Sequence, residues 1–273
     1  MGARSMRNNF GILLAVVLAI GCGGAVDRTL TWDEFRSQAY READTGVYVV
    51  NGDEVAETDE QLAEVYARYV RDREMPRGMG QSEGSLIVNR VGGQDDKWSA
   101  ATAANITYCI SSSSFGSRHS AVVNAMNSAA GAWEAAANVN FVHSSSQDGN
   151  CTKNNSSVVF DVRQVCTGQY LARAFFPSSK RRSREILIDC TSFGNISPWT
   201  LAGVLRHELG HTIGFRHEHT RPESGTCFED NNWRALTAYD SSSVMHYPQC
   251  NGSQTGDLVL TSLDKDGAAA LYP

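Results

Sequence analysis

A mixed fold, of α/β or α+β class, is predicted by three features of the chain after residue 100. Strand-length runs rich in β-branched, aromatic and other apolar residues occur at 105–110, 139–142, 158–162 and 185–189. Between the first two lies a helical repeat over 120–137, with Val123, Met126, Ala130 and Trp133 on one face. A second helix is expected over 198–213, opened by Ser197 as N-cap and Pro198 at the first helical position. The chain closes with a third helix over 262–271, whose Asp264 and Asp266 suit the positive end of its dipole.

The residues before this region have a different composition. Residues 23–96 carry 16 acidic and 8 basic side chains, whereas 97–273 carry 14 of each, and all seven histidines lie in the latter. Thr31 with Glu34, and Thr58 with Gln61, have capping-box spacing, the second opening a helix with Leu62, Val65, Tyr66 and Tyr69 on one face. Residues 46–55 read as a hairpin turning at Asn51-Gly52. Linkers are expected at 78–84 and 92–96.

Residues 1–22 read as an export signal. Arg4 and Arg7 precede an apolar run at 11–20, which is too short to span a bilayer, since that takes about 20 apolar residues. The run ends at Ala19-Ile20-Gly21-Cys22, which resembles a bacterial lipobox and would anchor the chain through a lipid on Cys22. Either lipidation or ordinary cleavage removes Cys22 from the disulfide pool, leaving six cysteines for three bridges. The formal net charge of -6 argues against nucleic acid as a partner.

The expected second helix carries His207-Glu208-Leu209-Gly210-His211, followed by Gly214 and His217. Residues four apart on a helix project from one face, about 5.4 Å apart along the axis, so His207 and His211 can reach one ion. Gly214 lets the chain leave the helix and bring His217 back as third ligand. Three neutral imidazoles with an open fourth position suit a catalytic zinc ion. Water bound to such an ion loses a proton near neutral pH, and Glu208 is placed to take that proton and pass it to a leaving amine. Peptide-bond hydrolysis is the chemistry that these parts serve.

These residues resemble the zinc helix of the metzincin peptidases. Ser243-Val244-Met245-His246-Tyr247 is similar to the methionine turn of the astacin family, and 214–221 is close to the astacin signature. The His207–His211 spelling and the chain length also resemble small bacterial dual-action HEIGH metallopeptidases. The resemblance covers 97–273 and implies an α+β metzincin domain: a twisted mixed sheet, a packing helix, the zinc helix and the methionine turn. It implies Met245 as the base beneath the zinc, Tyr247 as an assisting catalytic phenol, and Glu218 as the contact for a mature N-terminus. Residues 23–96 then become an acidic prosegment, in which Asp53 resembles the astacin aspartate that fills the open zinc position and keeps the zymogen silent. Arg221-Pro222-Glu223 departs from the astacin continuation.

The expectation is therefore an exported zinc endopeptidase, acting as a monomer on protein or peptide substrates, in the bacterial envelope or secreted. Two alternatives are a non-catalytic envelope binding or adhesion module with a structural zinc, and a zinc peptidase of cell-wall peptides. Substrate would lie along an edge strand, for which 185–189 is the candidate. Cys227 with Cys250 would clip the loop between zinc helix and methionine turn. Arg77, Arg90 and Lys97 are candidate maturation sites. The basic run at 180–184 reads as a solvated loop.

Overall fold

The computed structural model describes residues 29–74 and 86–273, so the expected signal, Cys22, Arg77 and the 78–84 linker lie outside the described residues. The architecture is α+β, and a small N-terminal unit is laid against a larger one. The small unit contains α1 (Trp32–Gln38), β1 (Tyr40–Arg41), β2 (Tyr48–Val50), β3 (Glu54–Ala56) and α2 (Asp59–Glu74). Thr31 and Glu34 close the expected capping box, and β2 and β3 form the expected hairpin around Asn51 and Gly52. The unit's own core is small, with Tyr48, Val50, Ala56 and Leu62 buried.

The larger unit begins earlier than charge alone suggests. Strands β4 (Ile87–Val91) and β5 (Gln94–Asp95) form a hairpin through Gly92 and Gly93, where a linker was expected. Leu86 and Val88 are fully buried in the main core, and Asn89 N–H donates to Gly214 O at 2.8 Å. Next come α3 (Ala100–Ala103), β6 (Ile106–Ile110), α4 (Ser112–Phe115), α5 (His119–Glu134), β7 (Phe141–His143), β8 (Phe160–Val165), β9 (Ala172–Arg173), β10 (Glu185–Asp189), α6 (Leu201–Thr212), β11 (Trp233–Ala235) and α7 (Ser262–Leu271). β11 pairs antiparallel with β4.

Five strands form the main sheet in the order β7-β6-β8-β10-β9, all parallel except β9. Strand β10 is thus internal, and the edge beside it is β9. This corrects the expected substrate strand, because a two-residue strand such as β9 carries no periodic signal. Alternation along β10 sends Ile186 and Ile188 to the main core, while Leu187 on the other face meets Val49 and Tyr170.

Helix α5 buries Val122, Met126, Ala129, Ala130 and Trp133, and Val123 packs, partly buried, against the same core. It packs on α6, where Trp133 Nε1 donates to Arg206 O at 2.8 Å. Helix α6 is capped by Thr200, whose hydroxyl accepts Gly203 N–H at 3.0 Å, and it starts three residues beyond the expected proline. Helix α7 is capped by Thr261 in a box with Asp264. Disulfides join Cys109 to Cys151, Cys166 to Cys190 and Cys227 to Cys250, the last as expected. The basic run is not merely solvated: Arg181 pairs with Asp161 at 2.9 Å and Arg184 lies over the Trp98 ring.

Candidate metal centre and active site

The site grows from the end of α6. His207 and His211 leave one face of the helix, which stops at Thr212. Gly214 has φ +102°, and a Cβ there would lie 2.2 Å from Asp96 O, so both conformation and space require glycine. The chain then reverses, with Phe215 N–H donating to Gly210 O at 3.0 Å, and delivers His217. Met245 lies directly under the helix: a Cβ on Gly210 would stand 2.4 Å from its Sδ. Asp264 anchors the methionine turn by accepting from Ser243 Oγ at 2.6 Å and Val244 N–H at 2.9 Å.

The three imidazoles and Asp53 converge, with ligand-type atoms all within 4.8 Å of one another and all four residues buried. Each ring commits its Nδ1 elsewhere. His207 donates to Val244 O at 2.7 Å, His211 to Phe215 O at 2.8 Å and His217 to Glu229 Oε1 at 2.7 Å. This fixes the tautomer that leaves Nε2 free as a ligand, the usual outer-shell arrangement of metal-binding histidines. The buried Nε2 atoms of His211 and His217 have no hydrogen-bond partner, as expected of nitrogens reserved for a metal. The donor set fits zinc, with Asp53 able to provide an oxygen as fourth ligand.

Asp53 Oδ2 lies 3.1 Å from His207 Nε2, and Oδ1 lies 3.4 Å from His211 Nε2 and 3.0 Å from His217 Nε2. Tyr247 donates its hydroxyl to Asp53 Oδ2 at 2.5 Å. Burial opposes the charge on Asp53, but the three imidazoles hold its carboxyl well below the usual carboxylate range. Glu208 is 2% exposed, and burial together with the Asp53 charge pushes its carboxyl well above that range. Its Oε2 is unpartnered. Gly52 belongs to the same fit, since a Cβ there would stand 2.7 Å from Tyr247 Oη.

The structure therefore brings together His207, His211, His217, Asp53 and Tyr247, with Glu208 and Met245 on the adjoining helix and turn. Glu218 is fully buried behind them, where it accepts from Arg221 at 3.3 Å and from Asp240 N–H at 3.2 Å. Sequence reasoning missed Glu229. Its carboxylate joins His217 to Arg216 (2.7 Å), which also pairs with Asp230 at 2.6 Å and Glu54 at 3.4 Å. An adjacent acidic pair just after Cys227 was the only available signal.

A mixed sheet over a helix that ends in three convergent imidazoles, with a carboxyl and a phenol beside them, is an arrangement suited to a mononuclear zinc site. Residues 97–224 match the matrixin peptidase family model. Among curated relatives, the bone morphogenetic protein 1 homolog of Strongylocentrotus purpuratus is 39% identical over 64 residues, covering 16% of this chain and 10% of that protein. Tolloid-like protein 1 of Homo sapiens is 26% identical over 232 residues, covering 72% and 21%. The chain thus spans about a tenth to a fifth of the length of these relatives. Similar solved structures include myroilysin (18% identity, TM-score 0.49, 68% of this chain and 98% of that one). Another is high choriolytic enzyme 1, a hatching enzyme zinc-protease from Oryzias latipes (21%, 0.41, 64% and 92%). Over residues 97–224 the chain is thus similar to the matrixin peptidases.

Proposed function

We propose that the chain is an exported, astacin-like zinc endopeptidase whose N-terminal unit holds it silent. One observation carries this reading: Asp53, from the small unit, sits among the Nε2 atoms of all three histidines of the large one. His207, His211 and His217 would hold the zinc, which when bound supplies a Lewis acid for the scissile carbonyl and acidifies water. Glu208, buried beside the ligands, takes the proton of the attacking water and returns it to the leaving amine. Tyr247 donates its hydroxyl to the oxyanion that develops on the substrate. In the intact chain that same hydroxyl is spent on Asp53.

The small unit also covers the strand edge. Ala174 N–H, directly after β9, donates to Asp53 O at 3.3 Å, which supports β9 as the edge where an extended substrate pairs. Maturation would cut within 75–85, where Arg77 lies, because a cut after Arg90 or Lys97 removes Leu86 and Val88 from the main core. Residues 1–22 would direct export, with Cys22 as a lipid anchor. The disulfides agree with an oxidising compartment.

The test is cleavage of a denatured protein by the zinc-loaded, processed protein, with and without chelator, beside Glu208→Gln. Chelator-sensitive cleavage that Glu208→Gln abolishes is the expected result. A wild type that retains zinc and cleaves nothing would overturn the reading.

A further inference from the structure

Resting on the peptidase reading above, we infer that Tyr170 and Arg173 form a carboxylate-binding subsite on the rim of the cleft, taking an acidic side chain of an extended peptide substrate. In the intact chain the small unit fills it. Glu42 Oε1 accepts from Arg173 Nε at 2.8 Å, and its Oε2 accepts from Arg173 Nη2 at 2.7 Å. The Tyr170 hydroxyl donates to Oε1 at 2.6 Å. This is the two-pronged geometry by which a guanidinium selects a carboxylate.

Apart from Glu42, the framework of this contact belongs to the large unit. Arg173 is 1% exposed and sits on the edge strand, with Nη1 donating to Glu185 O at 3.3 Å and Nη2 lying 3.4 Å from Glu185 Oε2. Glu185 is shared with Arg163, so it does not satisfy Arg173 alone. Loss of the small unit leaves Nε, one prong of Nη2 and the Tyr170 hydroxyl aimed at a vacated carboxylate position. Val49 leaves as well, opening the apolar patch of Tyr170 and Leu187 beside it.

The position is right for substrate. Ala174 N–H, one residue along, is the group that pairs with Asp53 O, and the Asp53 carboxylate lies among the three imidazoles. A peptide strand laid on this edge sends alternate side chains to one face of the sheet. One of them meets Arg173, which faces the same side as its partner Leu187. An acidic side chain there restores the two-pronged pair, whereas an amide gives one neutral contact and leaves Arg173 with only its longer contact to Glu185.

The experiment uses protein processed from the full zinc-loaded chain and peptide pairs carrying Glu or Gln at each position around the cleaved bond. At one position kcat/KM should favour Glu about tenfold, the size of a charge-assisted pair. Arg173→Lys, which keeps the charge but loses the fork, and Tyr170→Phe, which removes one hydroxyl, should each lower that ratio several-fold. No preference for Glu at any position, or the same preference in both variants, would overturn the subsite. Should no peptide be cleaved, the peptidase reading fails, and the subsite is decided by calorimetric binding to the processed Glu208→Gln protein. There, about tenfold tighter binding of a Glu peptide than its Gln twin supports it, and equal affinity overturns it.

Discussion

Glu229 Oε1 accepts the Nδ1 proton of His217 at 2.7 Å, so a carboxylate twelve residues downstream sets the tautomer of the third imidazole. The same carboxylate is held by Arg216 at 2.7 Å, which gives the ring one orientation. Glu229→Gln should therefore lower zinc affinity about 10- to 100-fold, the range for losing an outer-shell partner. Competition with a chromophoric chelator measures this, and an unchanged affinity would mean that His217 is oriented by packing alone.

Latency is expected to fail when Asp53 is replaced. Asp53→Ala removes the carboxylate from the three histidines and frees the Tyr247 hydroxyl, so an unprocessed full chain should cleave a denatured protein that the wild-type full chain leaves intact. The chain length of the variant must be checked by mass at the end of the assay. Continued silence of the uncut variant would show that the small unit blocks the cleft by bulk, without use of this ligand.

Acid should loosen the small unit. Burial raises the Glu42 carboxyl, but the Arg173 contacts outweigh it and leave it below its ordinary value. A group depressed in the docked state favours docking at pH above its free value, near 4.3, and that contribution is lost as pH falls through the docked value. The charged groups around it are Arg173 and Glu185, with Tyr170 and Thr45 as hydrogen-bond donors. In a chain cut within 75–85, dissociation of the small unit should rise below about pH 4. Glu42→Gln should weaken docking at neutral pH and flatten this part of the profile. A profile unchanged by Glu42→Gln would assign the acid effect elsewhere.

Two glycines bracket the site, and they should fail differently. Gly210→Ala drives a methyl into Met245 Sδ, a flexible side chain, and should cost about 1–3 kcal/mol as overpacking. Gly214→Ala meets the Asp96 carbonyl and keeps a positive φ, so it should cost more and also displace His217. Thermal unfolding compared with zinc content separates the two. Equal zinc content in both would contradict the assignment of Gly214 as the hinge to the third ligand.

Much of the site was legible because it is local. His207, Glu208 and His211 share one helix face through a fixed 3.6-residue period, and Gly214 marks the exit by its conformational freedom. The capping boxes of Thr31 with Glu34 and Thr261 with Asp264 form within four residues, the first of them legible in its Thr-x-x-Glu spacing. Ser197 and Pro198 misled because a plausible cap must compete with the next one: Thr200 bonds Gly203 and also Asp257, at 2.8 and 2.9 Å.

What escaped the linear chain is what depends on distance. Glu42 meets Arg173 across 131 residues, Glu229 holds the His217 ring, and Asp264 ties the methionine turn to the last helix. Composition puts residues 86–96 with the acidic segment, whereas β-pairing and burial of Leu86 and Val88 put them with the larger unit. Periodicity and capping are short-range effects of backbone geometry, so they can be read along a sequence and they sufficed for the zinc helix. The order of strands, the exposed edge at β9 and the carboxylate partners of buried cations follow from how hydrophobic faces stack and how buried charges find counter-charges. Those choices are made among all elements at once, and only the folded chain displays them.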